Sequence, residues 1–520
     1  MGMLYGLVFW LLLGCAFGPT SMLLADQNFQ NQCKFTRYPA LCLRTFVESK
    51  AHPEDIMSAL VNKTISETKL PSSYFTILDA QLDIQQTQHA LSITDYCKEL
   101  MNMSLDRLHR SVSAIQTSPT KNKNDIQTWL SASLTFQETC RDSADSLALS
   151  GNLAVHISRK MDYLSKLTSN SLALVNRITS SSKDNNLIKD SKKTRQLQGT
   201  QYFPSWVSPK DRKLLQSTTI RANAVVAKDG TGNYRTISEA ISAASGNRFE
   251  KIRTYKDGIT LIGDGKYSTI VVGDDSVAGG SSMPDSATFT ITGDGFIARD
   301  IGFQNTAGPG GEQALALYVA SDHSVLYRCS ILGYQDTLFA LALRQFYREC
   351  DIYGTIDFIF GNAAAVFQNC NLVFRRPASG RYNVMLANGR TDPGQNTGFS
   401  VQNCRVMAGS DFAPVKHSFN SYLGRPWKQY SRSVVMQSNI DEALTPRGWI
   451  EWPGQGSYMK TLYFAEFSNA GAGGTVSGRV KWPGFHVIGA TEASKFTVAN
   501  LILGDSWLPS TGVIFNSGLH

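Results

Sequence analysis

Gly333-Tyr334-Gln335-Asp336 is followed 21 residues later by Gly354-Thr355-Ile356-Asp357. Cysteines keep the same beat. Cys329, Cys350 and Cys370 lie 21 and then 20 residues apart, and each of the first two stands seven residues before one of the aspartates. A period near 20 made of short apolar runs predicts stacked coils of a parallel β-solenoid. Residues one period apart then sit on neighbouring strands, about 4.8 Å apart. The spacing therefore predicts that Asp336 and Asp357 lie side by side. Paired carboxylates can divide acid and base work. Aspartates that only end strands at turns give the same spacing, so the pair alone does not decide the chemistry.

The repeat extends in both directions. From Ala222 onward glycine is frequent and strands are short, as in Thr288-Phe-Thr-Ile-Thr and Arg344-Gln-Phe-Tyr-Arg-Glu-Cys. Phe367-Gln-Asn-Cys370 and Val401-Gln-Asn-Cys404 are near copies. Such internal repetition favours a solenoid over a sandwich. Upstream the character changes. Residues 26 to about 180 carry apolar residues at helical spacing, notably over 80–108, 126–149 and 153–178. Long helices with short connections predict an antiparallel bundle. Residues 181–221 are polar and poor in apolar side chains, which predicts a linker. It ends in Arg212-Lys213-Leu214-Leu215, where a dibasic pair in an exposed segment suits proteolysis. An equally simple reading is a solvated charge cluster.

The chain has 520 residues, a formal charge of +8 and 18% charged residues, which is a globular composition long enough for two or three domains. Residues 1–215 hold 24 Lys/Arg against 18 Asp/Glu, whereas 216–520 hold 26 against 24. The excess basicity lies upstream, mostly between Lys183 and Lys213. No RNP motif, zinc finger or aromatic-interleaved basic stripe accompanies it, so nucleic acid is not expected as a partner. Residues 1–25 open on an apolar run of signal-peptide length, and an uncleaved anchor is the alternative. Eight cysteines follow, Cys33, Cys42, Cys97, Cys140, Cys329, Cys350, Cys370 and Cys404. An even number in a secreted chain favours disulfides. Cys33–Cys42 would close a short local loop, and Cys329–Cys350 would join adjacent coils. No zinc spacing occurs, so no metal site is expected. Asn62-Lys-Thr64 and Asn102-Met-Ser104 are glycosylation sequons.

Gln313, Asp336 and Asp357 are 23 and 21 residues apart and so fall on three successive coils. Two carboxylates in contact cannot both ionise freely, so one pKa should rise. The protonated one can act as a general acid while the ionised one attacks as a nucleophile. Glutamine N–H groups can receive a developing oxyanion. Arg425, in Leu423-Gly-Arg-Pro-Trp-Lys428, could hold one aspartate ionised, and Trp427 could stack on a sugar ring. Glycosidases also use two carboxylates, so a polysaccharide-cleaving solenoid competes with an esterase on spacing alone. A serine esterase is disfavoured, because no G-x-S-x-G occurs.

The ordered motifs decide between them. Ala298-Arg-Asp-Ile301, Phe303-Gln-Asn-Thr-Ala-Gly308, Gly333-Tyr-Gln-Asp-Thr-Leu338, Asp357-Phe-Ile-Phe-Gly361, Leu423-Gly-Arg-Pro-Trp427 and Trp507-Leu-Pro509 span residues 222–518. In that order they closely resemble the plant pectin methylesterases (pectinesterases), and the four-cysteine helical segment resembles the pectin methylesterase inhibitor domain. The resemblance implies a right-handed parallel β-helix preceded by a four-helix-bundle pro-domain. It implies hydrolysis of methyl esters on pectin homogalacturonan, with methanol released and no cofactor. Asp357 would be the nucleophile, Asp336 the acid and then base, Gln313 and Gln335 the oxyanion hole, and Arg425 the group orienting Asp357. Trp427, Phe360, Phe339 and Trp449 would face the sugar, with simple packing as the competing role. Arg212-Lys-Leu-Leu215 resembles the site where such precursors are cut by a processing protease. The product would be a secreted monomer of the plant cell wall that meets inhibitor proteins related to its own pro-region.

The chain departs from the pattern in three places. Phe339 stands where the family often has tyrosine, and Met283 where many members have threonine. Near residues 249–251, on the order of 15 residues of the expected first coil are missing. That gap leaves a second reading, a catalytically impaired variant acting mainly as an inhibitor-like binder.

Overall fold

The computed structural model describes residues 30–49, 52, 55–69, 84–146, 152–179, 222–243 and 253–520. The expected signal segment 1–25, the expected processing sequence at 212–215 and the junction at 249–251 lie outside them. The chain forms two compact units, residues 1–191 and 192–520. Among the described residues no helix is long and apolar enough to cross a membrane.

In the first unit, α1 (Pro39–Ser49) precedes α2 (Ile56–Thr68), α3 (Ile84–Thr117), α4 (Lys123–Ser146) and α5 (Asn152–Asn176). The last four close a ring, with α2 packed on α3 and α5, and α4 between α3 and α5. This is the expected four-helix bundle. Its apolar stripes bury Leu60, Leu100, Leu108, Leu130, Leu164 and Leu172 completely. The core also holds a polar layer: the Ser104 and Ser133 hydroxyls pair at 2.7 Å, and Thr168 donates to Gln137 Oε1 at 3.0 Å. Helix α3 runs past the expected end at 108 to Thr117, where Pro119 stops it. Cys33–Cys42 forms as expected, and Cys97–Cys140 ties α3 to α4. Asn62 and Asn102 lie exposed on α2 and α3.

The second unit is a parallel β-helix of three sheets with seven, nine and seven strands. In each sheet, neighbouring strands are one coil apart in sequence: seven coils contribute one strand to each sheet, and Tyr463–Phe467 and Phe485–Val487 extend the second sheet alone. Leu338 lies opposite Ile359 and Phe339 opposite Phe360, so the stretches carrying Asp336 and Asp357 are stacked in register. The inward face is almost wholly apolar, including Phe289, Leu317, Leu338, Ile359, Leu386 and Leu423.

The cysteine beat has a backbone cause. Seven successive coils leave the second sheet through one left-handed residue, at Asp300, Arg328, Glu349, Asn369, Asn403, Gln437 and Ser468. The next residue points inward, giving the column Ile301, Cys329, Cys350, Cys370, Cys404, Ser438 and Asn469. The expectation of disulfides among the last four cysteines is therefore corrected: Cys329, Cys350, Cys370 and Cys404 are buried free thiols. In-register stacking holds their Cβ vectors parallel about 4.8 Å apart, whereas a disulfide needs converging Cβ atoms about 3.8 Å apart. The thiols donate instead to carbonyls of the preceding coil, Cys350 to Leu326 O and Cys404 to Phe367 O, both at 3.3 Å.

The described solenoid begins at Arg253–Thr254, Thr260–Ile262 and Ile270–Gly273. No described strand covers the outer side of these three. Ile270 and Val272, which flank the inward-facing Val271, are 38% and 57% exposed.

Two glycines are fixed by space. At Gly354 a Cβ would lie 2.1 Å from Phe358 Cβ and 2.7 Å from Thr337 Oγ1. At Gly361 φ is +125°, and a Cβ would lie 2.1 Å from Ala340 O. Gly361→Ala is expected to cost about 3 kcal/mol, from a backbone clash added to left-handed strain. Thermal unfolding of the second unit should fall by at least about 6 °C; an unchanged melting temperature would refute that packing.

Candidate active site

Asp336 and Asp357 both lie at corners between the third and first sheets, on successive coils. Asp336 N–H donates to Ile356 O at 2.9 Å, and Thr355 N–H to Tyr334 O at 2.8 Å, so one corner lies against the next. Both aspartates are left-handed, with φ of 61° and 51°. Asp tolerates this conformation better than most side chains because its short polar group can bond locally. Their side chains are almost fully buried, at 9% and 5% exposure.

Their surroundings differ. Arg425 grips Asp357 with Nε at 2.8 Å from Oδ1 and 3.0 Å from Oδ2, while Nη2 donates to Oδ2. No described residue hydrogen bonds the Asp336 carboxyl. Burial pushes Asp336 well above the ordinary carboxylate range, and the Asp357 charge pushes it further. Burial also raises Asp357, but Arg425 pulls it back, so its net rise is smaller. Arg425 stays cationic, because Asp357 more than offsets the cost of burying it. Asp336 thus holds its proton more tightly than Asp357, the order that an acid and a nucleophile require.

Gln313 and Gln335 meet in an isolated parallel bridge, one coil apart. Both are half-buried. Their side-chain amides hydrogen bond no other described residue and remain free to donate. Among the described residues no cluster of His, Cys, Asp and Glu could hold a metal ion.

The aromatic expectations need correction. Tyr318, Phe339 and Phe360 occupy equivalent positions on three coils and stack at 5.1 and 4.3 Å between ring centroids. Phe339 is fully buried and Phe360 is 4% exposed. Neither face of Phe339 is open to a sugar. Phe360 instead supports Trp427 edge-on at 6.0 Å. Trp427 is half-exposed, the one expected platform that keeps an accessible ring. Trp449 is fully buried: it bridges to Gly424, stacks on Phe464 at 4.4 Å and donates Nε1–H to Glu466 at 3.1 Å. The half-buried neighbour Trp452 lies at the site instead, with the Arg425 guanidinium 4.1 Å from its ring centroid. Tyr382 was also missed, and its hydroxyl accepts from Arg425 Nη1 at 3.1 Å. The Gly448-Trp-Ile-Glu-Trp452 spacing holds a signal. Pairing Trp449 with Gly424 turns it inward beneath the strand whose next residue, Arg425, faces out.

A parallel β-helix bearing an asymmetric buried carboxylate pair, one partner clamped by arginine, is the class that fold and site define. Residues 223–505 match the family model described as Pectinesterase, and residues 27–174 that described as Plant invertase/pectin methylesterase inhibitor. "Probable pectinesterase/pectinesterase inhibitor 54" of Arabidopsis thaliana is 49% identical over 519 residues, covering 96% of each chain. "Pectinesterase 2" of Citrus sinensis is 48% identical over 437 residues, covering 81% of each. Among solved structures, pectin methylesterase from carrot is 49% identical, with a TM-score of 0.54, covering 58% of this chain and all of that one. The chain belongs to the pectinesterase family and carries an N-terminal inhibitor-type domain. The match takes in residues on both sides of the 249–251 junction, and neither it nor the relatives favour the reading as an impaired binder.

Proposed function

We infer that this chain hydrolyses methyl esters of pectin homogalacturonan and releases methanol. The observation that carries this reading is the buried Asp336–Asp357 pair with Arg425 on Asp357 alone. The Asp357 carboxylate attacks the ester carbonyl carbon. The carbonyl π electrons move to oxygen, and that oxyanion takes N–H donors from Gln313 and Gln335. As the tetrahedral intermediate collapses, Asp336 gives its proton to the departing methoxide, and methanol leaves. Asp357 then carries the galacturonate as an acyl-enzyme anhydride. Asp336, now ionised, takes a proton from water; the hydroxide adds to the acyl carbon, and Asp357 departs as carboxylate. Arg425 orients Asp357 in both steps, and Trp427 and Trp452 wall the site.

The further assignments rest on the same reading. Residues 1–25 direct secretion to the cell wall, Asn62 and Asn102 carry glycans, and the helical domain restrains the esterase until a protease cuts at Arg212-Lys213-Leu214-Leu215. Methanol and new reducing ends should be measured together on methyl-esterified pectin, before and after cleavage of the full chain. Methanol alone is expected, with a larger rate after cleavage. New reducing ends, or no methanol from either form, would overturn the esterase. Equal rates from both forms would overturn the restraint.

A further inference from the structure

The wall behind Arg425 is built on a charge pair inside the solenoid. Glu466 lies on the strand Tyr463–Phe467, in register with Val435, and so points into the apolar core. Arg479 meets it there, with Nε 2.7 Å from Oε1 and Nη2 3.1 Å from Oε2, and both side chains are 1% exposed. The same guanidinium donates from Nη1 to Pro446 O at 3.1 Å and from Nη2 to Gly473 O at 2.6 Å. An ion pair in an apolar core is a poor stabiliser, because desolvation offsets the attraction, and apolar residues of the same volume often do as well. What this pair supplies is direction. Glu466 Oε1 accepts the Trp449 indole N–H at 3.1 Å, and Arg479 holds the chain at Pro446, three residues before that indole.

From this anchor the chain reaches the site within a few residues. Trp449 lies beneath Gly424, where a Cβ would come 3.0 Å from the indole Cζ3. Leu423 N–H donates to Gly448 O at 2.7 Å and Ile450 N–H to Gly424 O at 3.1 Å, which ties residues 448–450 to the strand that carries Arg425. Three residues after Trp449, Trp452 lays its ring on the Arg425 guanidinium at 4.1 Å. One short segment therefore backs Gly424 from within the solenoid and covers Arg425 from without. We propose that Glu466 and Arg479 are positioning residues for the ester hydrolysis: acting through Trp449, they fix the segment that holds Arg425 in line with Asp357. This rests on the esterase reading above.

The test breaks two different links of this relay in the full chain, expressed in a plant secretory host. Trp449→Phe removes the indole N–H and part of the ring beneath Gly424 but leaves Glu466 paired with Arg479. Arg479→Lys keeps the charge opposite Glu466 but loses the fork that also holds Pro446 and Gly473. Neither variant leaves a buried charge without its partner, so both should fold. In each, kcat for methanol release should fall about tenfold with KM little changed, short of the about 100-fold that a 1 Å displacement can cost. The pH profile separates positioning from packing. Asp336 and Arg425 are the charged groups facing Asp357, with Tyr382 beyond Arg425. Arg425 pulls the Asp357 carboxyl down; set back from it, Arg425 lets Asp357 take up its proton at a higher pH. The acid limb of kcat/KM should therefore move up in both variants, with melting temperatures followed at the same pH values to tell titration from acid unfolding. An acid limb that stays in place in either variant, or a rate loss no larger than the unfolded fraction, overturns the proposal and leaves the esterase standing. Absence of methanol from the wild type overturns both.

Discussion

Asp357→Asn should abolish methanol release, with kcat falling on the order of 10⁴-fold or more, the loss expected when a nucleophile is removed from a group that acts as a unit. Asparagine keeps the shape, tolerates φ of 51°, and can still accept one hydrogen bond from Arg425. It cannot attack the ester as a carboxylate does. The variant should therefore remain folded with an intact cleft. Asp357→Ala removes more. Where asparagine removes only the charge, alanine leaves the Arg425 guanidinium, 11% exposed, with neither the charge nor an acceptor in its place. Breaking a buried pair in this way costs about 3–5 kcal/mol, and alanine at a left-handed position adds about 1 kcal/mol. The two variants should be equally inactive and clearly different in melting temperature. Methanol release by Asp357→Asn at more than about 1% of the wild-type rate would remove Asp357 from the nucleophile's role.

The parts of this site legible in the sequence are those fixed by the coil itself. Asp336 and Asp357 could be paired from a 21-residue spacing because in-register stacking turns sequence period into spatial adjacency. The same logic misled for the cysteines. A shared beat places thiols in one column, yet the column keeps their Cβ vectors parallel, and adjacency without convergence gives no bond. The aromatics show a second limit. Phe339 and Phe360 face outward from the first sheet, but stacking on Tyr318 and on each other covers them. Whether an outward ring is open depends on its neighbours one coil away, which spacing alone does not reveal. Arg425 reaches Asp357 across 68 residues, and Tyr382 reaches Arg425 across 43. Such contacts follow from corner lengths rather than the repeat. The first was found through the Leu-Gly-Arg-Pro-Trp motif, and the second carried no motif at all.

Asp336→Asn separates catalysis from stability in opposite directions. An amide cannot protonate departing methoxide or activate water, so kcat should fall about 10²–10⁴-fold, the usual contribution of a positioned acid–base group. The effect on folding has the reverse sign. Burial and the Asp357 charge raise the Asp336 pKa in the folded protein. A raised carboxyl contributes stability in full below its unfolded pKa of about 3.9. That stability is lost as pH climbs through the folded pKa, because the unfolded chain releases the proton more easily. Asparagine has no proton to lose. Near pH 4 the variant and the wild type should melt together, and as pH rises the variant should become the more stable, by about 2 °C in Tm for each kcal/mol relieved. The wild-type rate should also decline on the alkaline side, as Asp336 gives up its proton in the free enzyme. A melting difference that is flat from pH 4 to 8, or one that favours the wild type at the upper end, would mean that Asp336 is ionised in the resting site. The proton for the leaving group would then have to come from elsewhere.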